Sequence, residues 1–144
     1  MAGKPGDEVL VQRQRKYKIL VVDDERLSRD LIEASLTRSG FHVLSVPNGL
    51  KLISFLKVNK PDLVILDIAM SWINGFDLCR LLCGLRGFDK IPIVFVSGYA
   101  TPENIEQGYA SGAVDFIAKP FDVQHLVQRV KHHLGVKTVL PEST

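Results

Sequence analysis

Ile19-Leu20-Val21-Val22-Asp23-Asp24-Glu25 decides how the rest of the chain is read: four consecutive apolar residues, a strand's length, run straight into three carboxylates. An apolar run without polar alternation suits a strand covered on both faces, as in a parallel sheet between layers of helices. Leu63-Val64-Ile65-Leu66 and Ile93-Val94-Phe95-Val96 repeat the pattern. Val43-Leu44-Ser45-Val46 is interrupted by serine and suits a strand nearer an edge, and Val114 to Ala118 supplies a fifth.

Helical patterns fill the intervals. Leu27, Leu31 and Ala34 share a face of a first helix, with Gly40 as its stop. Ile53 and Leu56 mark a second, and Phe76, Cys79 and Leu82 or Cys83 a third. Thr101-Pro102 places a capping hydroxyl before a first-turn proline, and Gly112 closes that fourth segment. Asp122 caps a fifth, whose Leu126, Val130 and Leu134 recur four apart before Gly135. Strict alternation of five strands with five helices implies an α/β fold: a doubly wound parallel sheet, helices on both faces, right-handed crossovers.

The 144 residues suit one core, and 46% hydrophobic with 24% charged residues is the balance of a packed soluble domain. No apolar stretch approaches the ~18 residues of a membrane-crossing helix, so no membrane insertion is expected. Met1 to Glu8 is charged, contains Pro5 and lacks the apolar run of a secretory signal. Cys79 and Cys83 are spaced for neither a disulfide framework nor a zinc knuckle. They fall on the inward stripe of the third helix as small core residues, in keeping with a reducing, cytoplasmic compartment. Residues 1–18 hold Lys4, Arg13, Arg15, Lys16 and Lys18 against Asp7 and Glu8, a surplus larger than the chain's net +2. The remainder is therefore slightly acidic, which excludes a basic nucleic-acid-binding body. The leader, residues 1–16, reads as a solvated basic tail.

In open α/β sheets, ligands bind beyond the carboxyl ends of the strands. The first run ends in Asp23-Asp24, the third in Asp67, the fourth in Ser97-Gly98 and the fifth in Lys119-Pro120, while Val46-Pro47 offers nothing. Singly, each has a plain structural explanation as a cap, a turn residue or a solvated charge. Together they bring three carboxylates, a hydroxyl and an ammonium to one rim. One lysine cannot neutralise three carboxylates; a hard divalent cation can, and Mg²⁺ is the natural candidate because it needs few protein ligands and keeps its waters. An aspartate, with a reference pKa of about 3.9, is already ionised at neutral pH and needs no base to act as a nucleophile. Neither Gly-x-x-x-x-Gly-Lys nor Gly-x-Gly-x-x-Gly is present, so a phosphoryl group would come from elsewhere rather than from a nucleotide held here.

The segments Val21-Val22-Asp23-Asp24-Glu25, Leu66-Asp67-Ile68-Ala69-Met70, Asn74-Gly75, Val96-Ser97-Gly98, Gly112-Ala113 and Phe116-Ile117-Ala118-Lys119-Pro120-Phe121 occur in the order found in one family. Over residues 17–135 the chain resembles the receiver domains of two-component response regulators. The resemblance implies a flavodoxin-like sheet of order 2-1-3-4-5, with residues 136–144 as a tail. It implies phosphorylation of Asp67 by a sensor histidine kinase or histidine phosphotransfer protein. It assigns Mg²⁺ to Asp24 directly, Asp23 through water, Asp67, and the backbone carbonyl of Ala69. Ser97 takes the place of the switch hydroxyl, Lys119 that of the phosphate-binding lysine, and Lys119-Pro120 that of a cis bond. Phe116 falls at the aromatic switch position, where a plain core aromatic is the alternative. Output would pass to a downstream effector protein, and a homodimer through the fourth helix, fifth strand and fifth helix is one arrangement implied.

The chain departs from the family pattern in three places. Ser71 and Trp72 follow Met70 where proline is usual, and Trp72 is either a partner anchor or a packed aromatic. Ala69 and Tyr99, two residues past Asp67 and Ser97, stand where side chains modulate the access of water to the acyl phosphate. Ala69 cannot orient water and Tyr99 can shield, so a longer phosphoryl lifetime is expected. Two other functions stay open: an interaction module working without phosphorylation, and the receiver of a larger transcriptional regulator, although nothing after Gly135 resembles a helix-turn-helix. A haloacid-dehalogenase-type phosphatase is excluded because Ala69 replaces the second acid that its motif requires.

Overall fold

A computed structural model describes residues 16–136. Most of the basic leader, and all but Val136 of the C-terminal tail, lie outside the described residues. Five strands, β1 (Lys18–Val22), β2 (His42–Val46), β3 (Leu63–Leu66), β4 (Ile93–Ser97) and β5 (Asp115–Ala118), alternate with α1 (Arg26–Arg38), α2 (Gly49–Val58), α3 (Gly75–Gly84), α4 (Pro102–Ala110) and α5 (Val123–Leu134). The strands form one wholly parallel sheet of order β2-β1-β3-β4-β5. The serine-interrupted β2 is an edge strand, as its polarity implied.

The apolar runs are two-sided cores. Ile19 and Val21, Leu63 and Ile65, and Val94 and Val96 face Ile32 and Leu36 of α1 and Leu126 and Val130 of α5. The alternate residues Leu20, Val22, Val64, Leu66 and Phe95 face Leu52 and Leu56 of α2 and Leu78, Cys79 and Leu82 of α3. Period-two geometry turns one run into two interfaces, which is why no polar residue interrupts it.

Caps fix where the helices begin. Thr101 Oγ1 accepts from the Asn104 N–H, Asp122 Oδ1 from those of Gln124 and His125, and Asn74 Oδ1 from Asp77. Gly135 adopts the left-handed conformation expected of a stop. At Gly75 a side chain would strike the Asp67 carbonyl and the Phe95 ring, so only glycine allows α3 to start directly beneath the end of β3. In the first helix the shared apolar face is the outward one. Leu27 (83% exposed), Leu31 and Ala34 share its outer face, and Ser28, Ile32, Ser35 and Leu36 form the buried one. Ser35 can be buried because its hydroxyl donates to the Leu31 carbonyl at 2.7 Å. The cysteines behave as expected: Cys79 is fully buried, its thiol pushed up to about 11 chiefly by burial, and Cys83 packs partly buried beside it.

A buried carboxylate joins the last three elements. Asp115 Oδ2 accepts from Arg129 Nε at 2.6 Å and lies 2.8 Å from His133 Nε2. Its Oδ1 accepts from the Phe116 N–H and, at 3.4 Å, from the Tyr109 hydroxyl. Burial alone would raise its pKa; the His133, Arg129 and Phe116 bonds outweigh that and hold it below 3.8. A depressed carboxyl stabilises the fold above its ordinary pKa and loses that contribution as pH falls through its folded value. Asp115→Asn is therefore expected to cost about 1–3 kcal/mol at neutral pH by urea unfolding, with the gap from the parent closing below about pH 3.8.

Candidate functional site

The candidate residues gather at the carboxyl end of the sheet, where β1, β3, β4 and β5 stop. Asp23 follows β1, Asp67 follows β3, and Lys119 follows β5, on the far side of β4. Main-chain bonds fix these ends: the Asp23 N–H donates to the Val46 carbonyl, that of Asp67 to Val22, and that of Lys119 to Ser97. Pairing thus carries one residue past each strand and aims the side chains at a common point. The Lys119-Pro120 bond is cis, as the resemblance implied.

Lys119 Nζ occupies that point. It donates to Asp23 Oδ2 at 2.7 Å and to Asp67 Oδ2 at 2.8 Å, with Glu25 Oε1 farther out at 3.8 Å. Both aspartates are buried, Asp67 at 6% exposure. Burial works to lower the lysine's pKa, but the bonds and charges of Asp23 and Asp67 prevail and hold it above 10.5. The remaining carboxylate oxygens face the main chain: Asp23 Oδ1 accepts from the Glu25 N–H and Asp67 Oδ1 from that of Ala69.

Asp24 is exposed and shares no bond with this trio, yet it lines the same open cleft of about 400 Å³ with Glu25, Asp67, Ala69, Gly98, Tyr99, Lys119 and Pro120. Among the described residues, no three carboxylate, imidazole or thiol side chains are grouped to hold an ion unaided. A cation here would be completed by main-chain oxygen and water, the habit of Mg²⁺ rather than of zinc.

Ser97 is fully buried at the end of β4. Its Oγ accepts from the Tyr99 N–H at 3.2 Å, a bond that leaves the hydroxyl proton free to be donated. Tyr99 itself is 60% exposed at the cleft mouth, its carbonyl accepting from Asn104 Nδ2. Phe116 lies part-buried on β5, its ring 5.9 Å from that of Phe95. Gly108 of α4 sits against both rings, where a β-carbon would come within 3.1 Å of Phe116 and 3.2 Å of Phe95. Trp72, at 67% exposure, is not a packed aromatic.

One neighbour of the site escaped the sequence reading. Arg29, on α1, donates from Nη1 to the Asp23 carbonyl at 2.7 Å, so a second cation borders the acidic rim. The available signal was its place in the first turn of α1, where a long side chain tilts back toward the preceding strand end.

The chain matches the family model of the response regulator receiver domain over residues 19–131. It is 35% identical to the transcriptional regulatory protein YvrH of Bacillus subtilis over 81% of this chain and 48% of that protein. It is 34% identical to the DNA-binding response regulator MtrA of Mycobacterium tuberculosis over 83% of this chain and 51% of that one. It thus spans about half the length of the curated relatives it matches. Among solved structures, a response regulator from Thermotoga maritima superposes with a TM-score of 0.76 at 28% identity, covering 84% of this chain and 99% of that one. The signal receiver domain of a Syntrophus aciditrophicus signal transduction histidine kinase superposes at 0.77 and 31% identity, covering 89% and 98%. The sheet order, the acid–lysine cluster and a family match across residues 19–131 agree: the chain belongs to the response regulator receiver domain family of two-component signalling.

Proposed function

We propose that Asp67 of this receiver accepts a phosphoryl group from the phosphohistidine of a sensor kinase or phosphotransfer protein, and that the phosphorylated domain signals through protein–protein contacts. The observation that carries the reading is the Lys119 ammonium, 2.7 and 2.8 Å from two buried carboxylates at the floor of an open cleft. A structural ion pair has no need of a cleft, of a neighbouring Asp24, or of a hydroxyl on the adjoining strand end.

In the transfer, an Asp67 oxygen attacks phosphorus, the donor's P–N bond breaks, and its electron pair returns to the imidazole. Lys119 exchanges its bond to Asp67 for the incoming phosphoryl oxygens and so holds charge that grows on them. The donor set fits Mg²⁺: Asp24, Asp67 and the Ala69 carbonyl would hold the ion, with Asp23 beside them. When bound, Mg²⁺ neutralises the carboxylates and the equatorial phosphoryl oxygens. The chain's own groups do the rest, making it a self-catalysing acceptor rather than a conventional enzyme.

Phosphorylation takes Asp67 from −1 to between about −1.5 and −2 and adds acceptor oxygens. Ser97 gives up its bond to the Tyr99 N–H and donates to one of them. The β4–α4 loop follows, and Phe116 turns into the space vacated, reshaping the surface of α4, β5 and α5. That surface is where an effector, or a second copy of the chain, would read the state. The change is a population shift limited by the phosphate's preference for one state. The relatives named as transcriptional regulators are about twice as long, so a DNA-binding partner domain in the same polypeptide is the second reading. Free thiols at Cys79 and Cys83 accord with a cytoplasmic setting, and no helix among the described residues is long and apolar enough to cross a membrane.

Incubation with a small phosphodonor and Mg²⁺ is expected to add one phosphoryl mass to the parent and none to Asp67→Asn, read by intact-mass spectrometry. Label on the Asn variant contradicts the assignment. Tyr99 shields the cleft mouth while Ala69 leaves water unoriented, so the acyl phosphate should be long-lived. Tyr99→Glu is expected to hydrolyse faster by several-fold, followed as loss of label over time; an unchanged rate removes the role given to Tyr99.

A further inference from the structure

Asp23 is the most thoroughly held residue of the site. Its N–H donates to the Val46 carbonyl, its Oδ1 accepts from the Glu25 N–H and its Oδ2 from Lys119 Nζ. Its carbonyl comes next, one residue past the last paired residue of β1, Val22. The group that reaches it is Arg29 Nη1, at 2.7 Å and part-buried. Arg29 is itself fixed, because its main-chain N–H donates to the Glu25 carbonyl in the first turn of α1. The side chain thus spans back across the Asp24-Glu25 turn and closes it.

We infer that Arg29 is a positioning residue for the acidic pair: by fixing the peptide between Asp23 and Asp24, it aims the Asp24 carboxylate into the cleft and preorganises the site for a divalent cation. The inference rests on the reading of the cleft as an Mg²⁺ site. The carbonyl it binds belongs to the same peptide unit from which Asp24 departs, so rotation of that unit swings the exposed carboxylate. Asp24 itself shares no bond with the Lys119 trio, so the main chain has to supply its direction. Charge alone argues the other way: a guanidinium beside the rim repels a cation, and losing it would tighten binding. The two effects have opposite signs, which makes the inference testable.

The test is Mg²⁺ titration of the whole chain by calorimetry, with melting temperature recorded for each variant. Arg29→Met keeps the length and apolar stem and removes the donor; it is expected to bind Mg²⁺ about tenfold more weakly, as outer-sphere partners of metal ligands usually do. Arg29→Lys retains an N–H donor and is expected to recover much of that loss. In the metal-free Arg29→Met protein, the backbone amides of Asp24 and Glu25 should shift in NMR spectra while those of β3 hold still. Ile32→Val loosens α1 on the sheet without touching Asp23 and should leave Mg²⁺ affinity unchanged. Arg29→Met binding as tightly as the parent, or more tightly, overturns the inference, as does an equal loss in Ile32→Val. A parent chain that binds no Mg²⁺ overturns the reading of the cleft itself.

Discussion

An ammonium held between two buried carboxylates is the interaction on which the rest of this molecule depends. Asp23 and Asp67 leave adjacent strands and, both buried, would repel each other; Lys119, from a strand beyond β4, sits between them at hydrogen-bond distance. Buried charges of this kind are tolerated only when paired and fully bonded. Each aspartate meets that condition, with one oxygen on Lys119 and the other on a main-chain N–H. The pairing is still incomplete by charge. Asp24 and Glu25 line the same cleft, so the rim as a whole remains negative even with Arg29 beside it. That residual charge is what, in the proposed function, would draw a hard cation to the cleft.

The fold serves this constraint directly. Parallel pairing makes β1, β3, β4 and β5 end at one edge, and Asp23, Asp67, Ser97 and Lys119 are each the last residue of a strand or the first beyond it. The same hydrogen bonds that close the sheet therefore place the chemistry. Gly75 allows α3 to begin against the Asp67 carbonyl, and Gly108 lets α4 rest on Phe95 and Phe116, the contact that the proposed switch would use. On that surface Asp115 joins Tyr109, Arg129 and His133 into one bonded unit immediately before Phe116.

Much of this was legible in the residues. The two-sided runs Ile19–Val22 and Leu63–Leu66 suit parallel strands because they are of strand length, unbroken by polar residues, and alternate with helical patterns. The strand-end rule then gathered Asp23, Asp24, Asp67, Ser97 and Lys119, and Lys119 does join Asp23 and Asp67. Less legible was the orientation of α1. Periodicity identifies a helix but not which of two stripes is buried, and here Ser28 and Ser35 fill the inward stripe while Leu27 and Leu31 face outward. Arg29 was missed for a related reason: it serves a main-chain carbonyl, and side-chain patterns carry no record of which carbonyls the sheet leaves over. The Asp115 network was also out of reach, because it depends on the packing of three elements distant along the chain. His133 likewise takes its task from that packing, its ring nitrogen lying 2.8 Å from Asp115 Oδ2.

The charge imbalance of the rim can be measured without any phosphodonor, by following the melting temperature of the parent and of Lys119→Met as Mg²⁺ is raised. Lys119→Met leaves Asp23 and Asp67 facing each other uncompensated, so it should melt lower than the parent without Mg²⁺ and gain more from saturating Mg²⁺, since a ligand that binds only the folded state stabilises it by mass action. A Lys119→Met protein that melts with the parent, or whose gain from Mg²⁺ is no larger, would contradict the electrostatic account at its root.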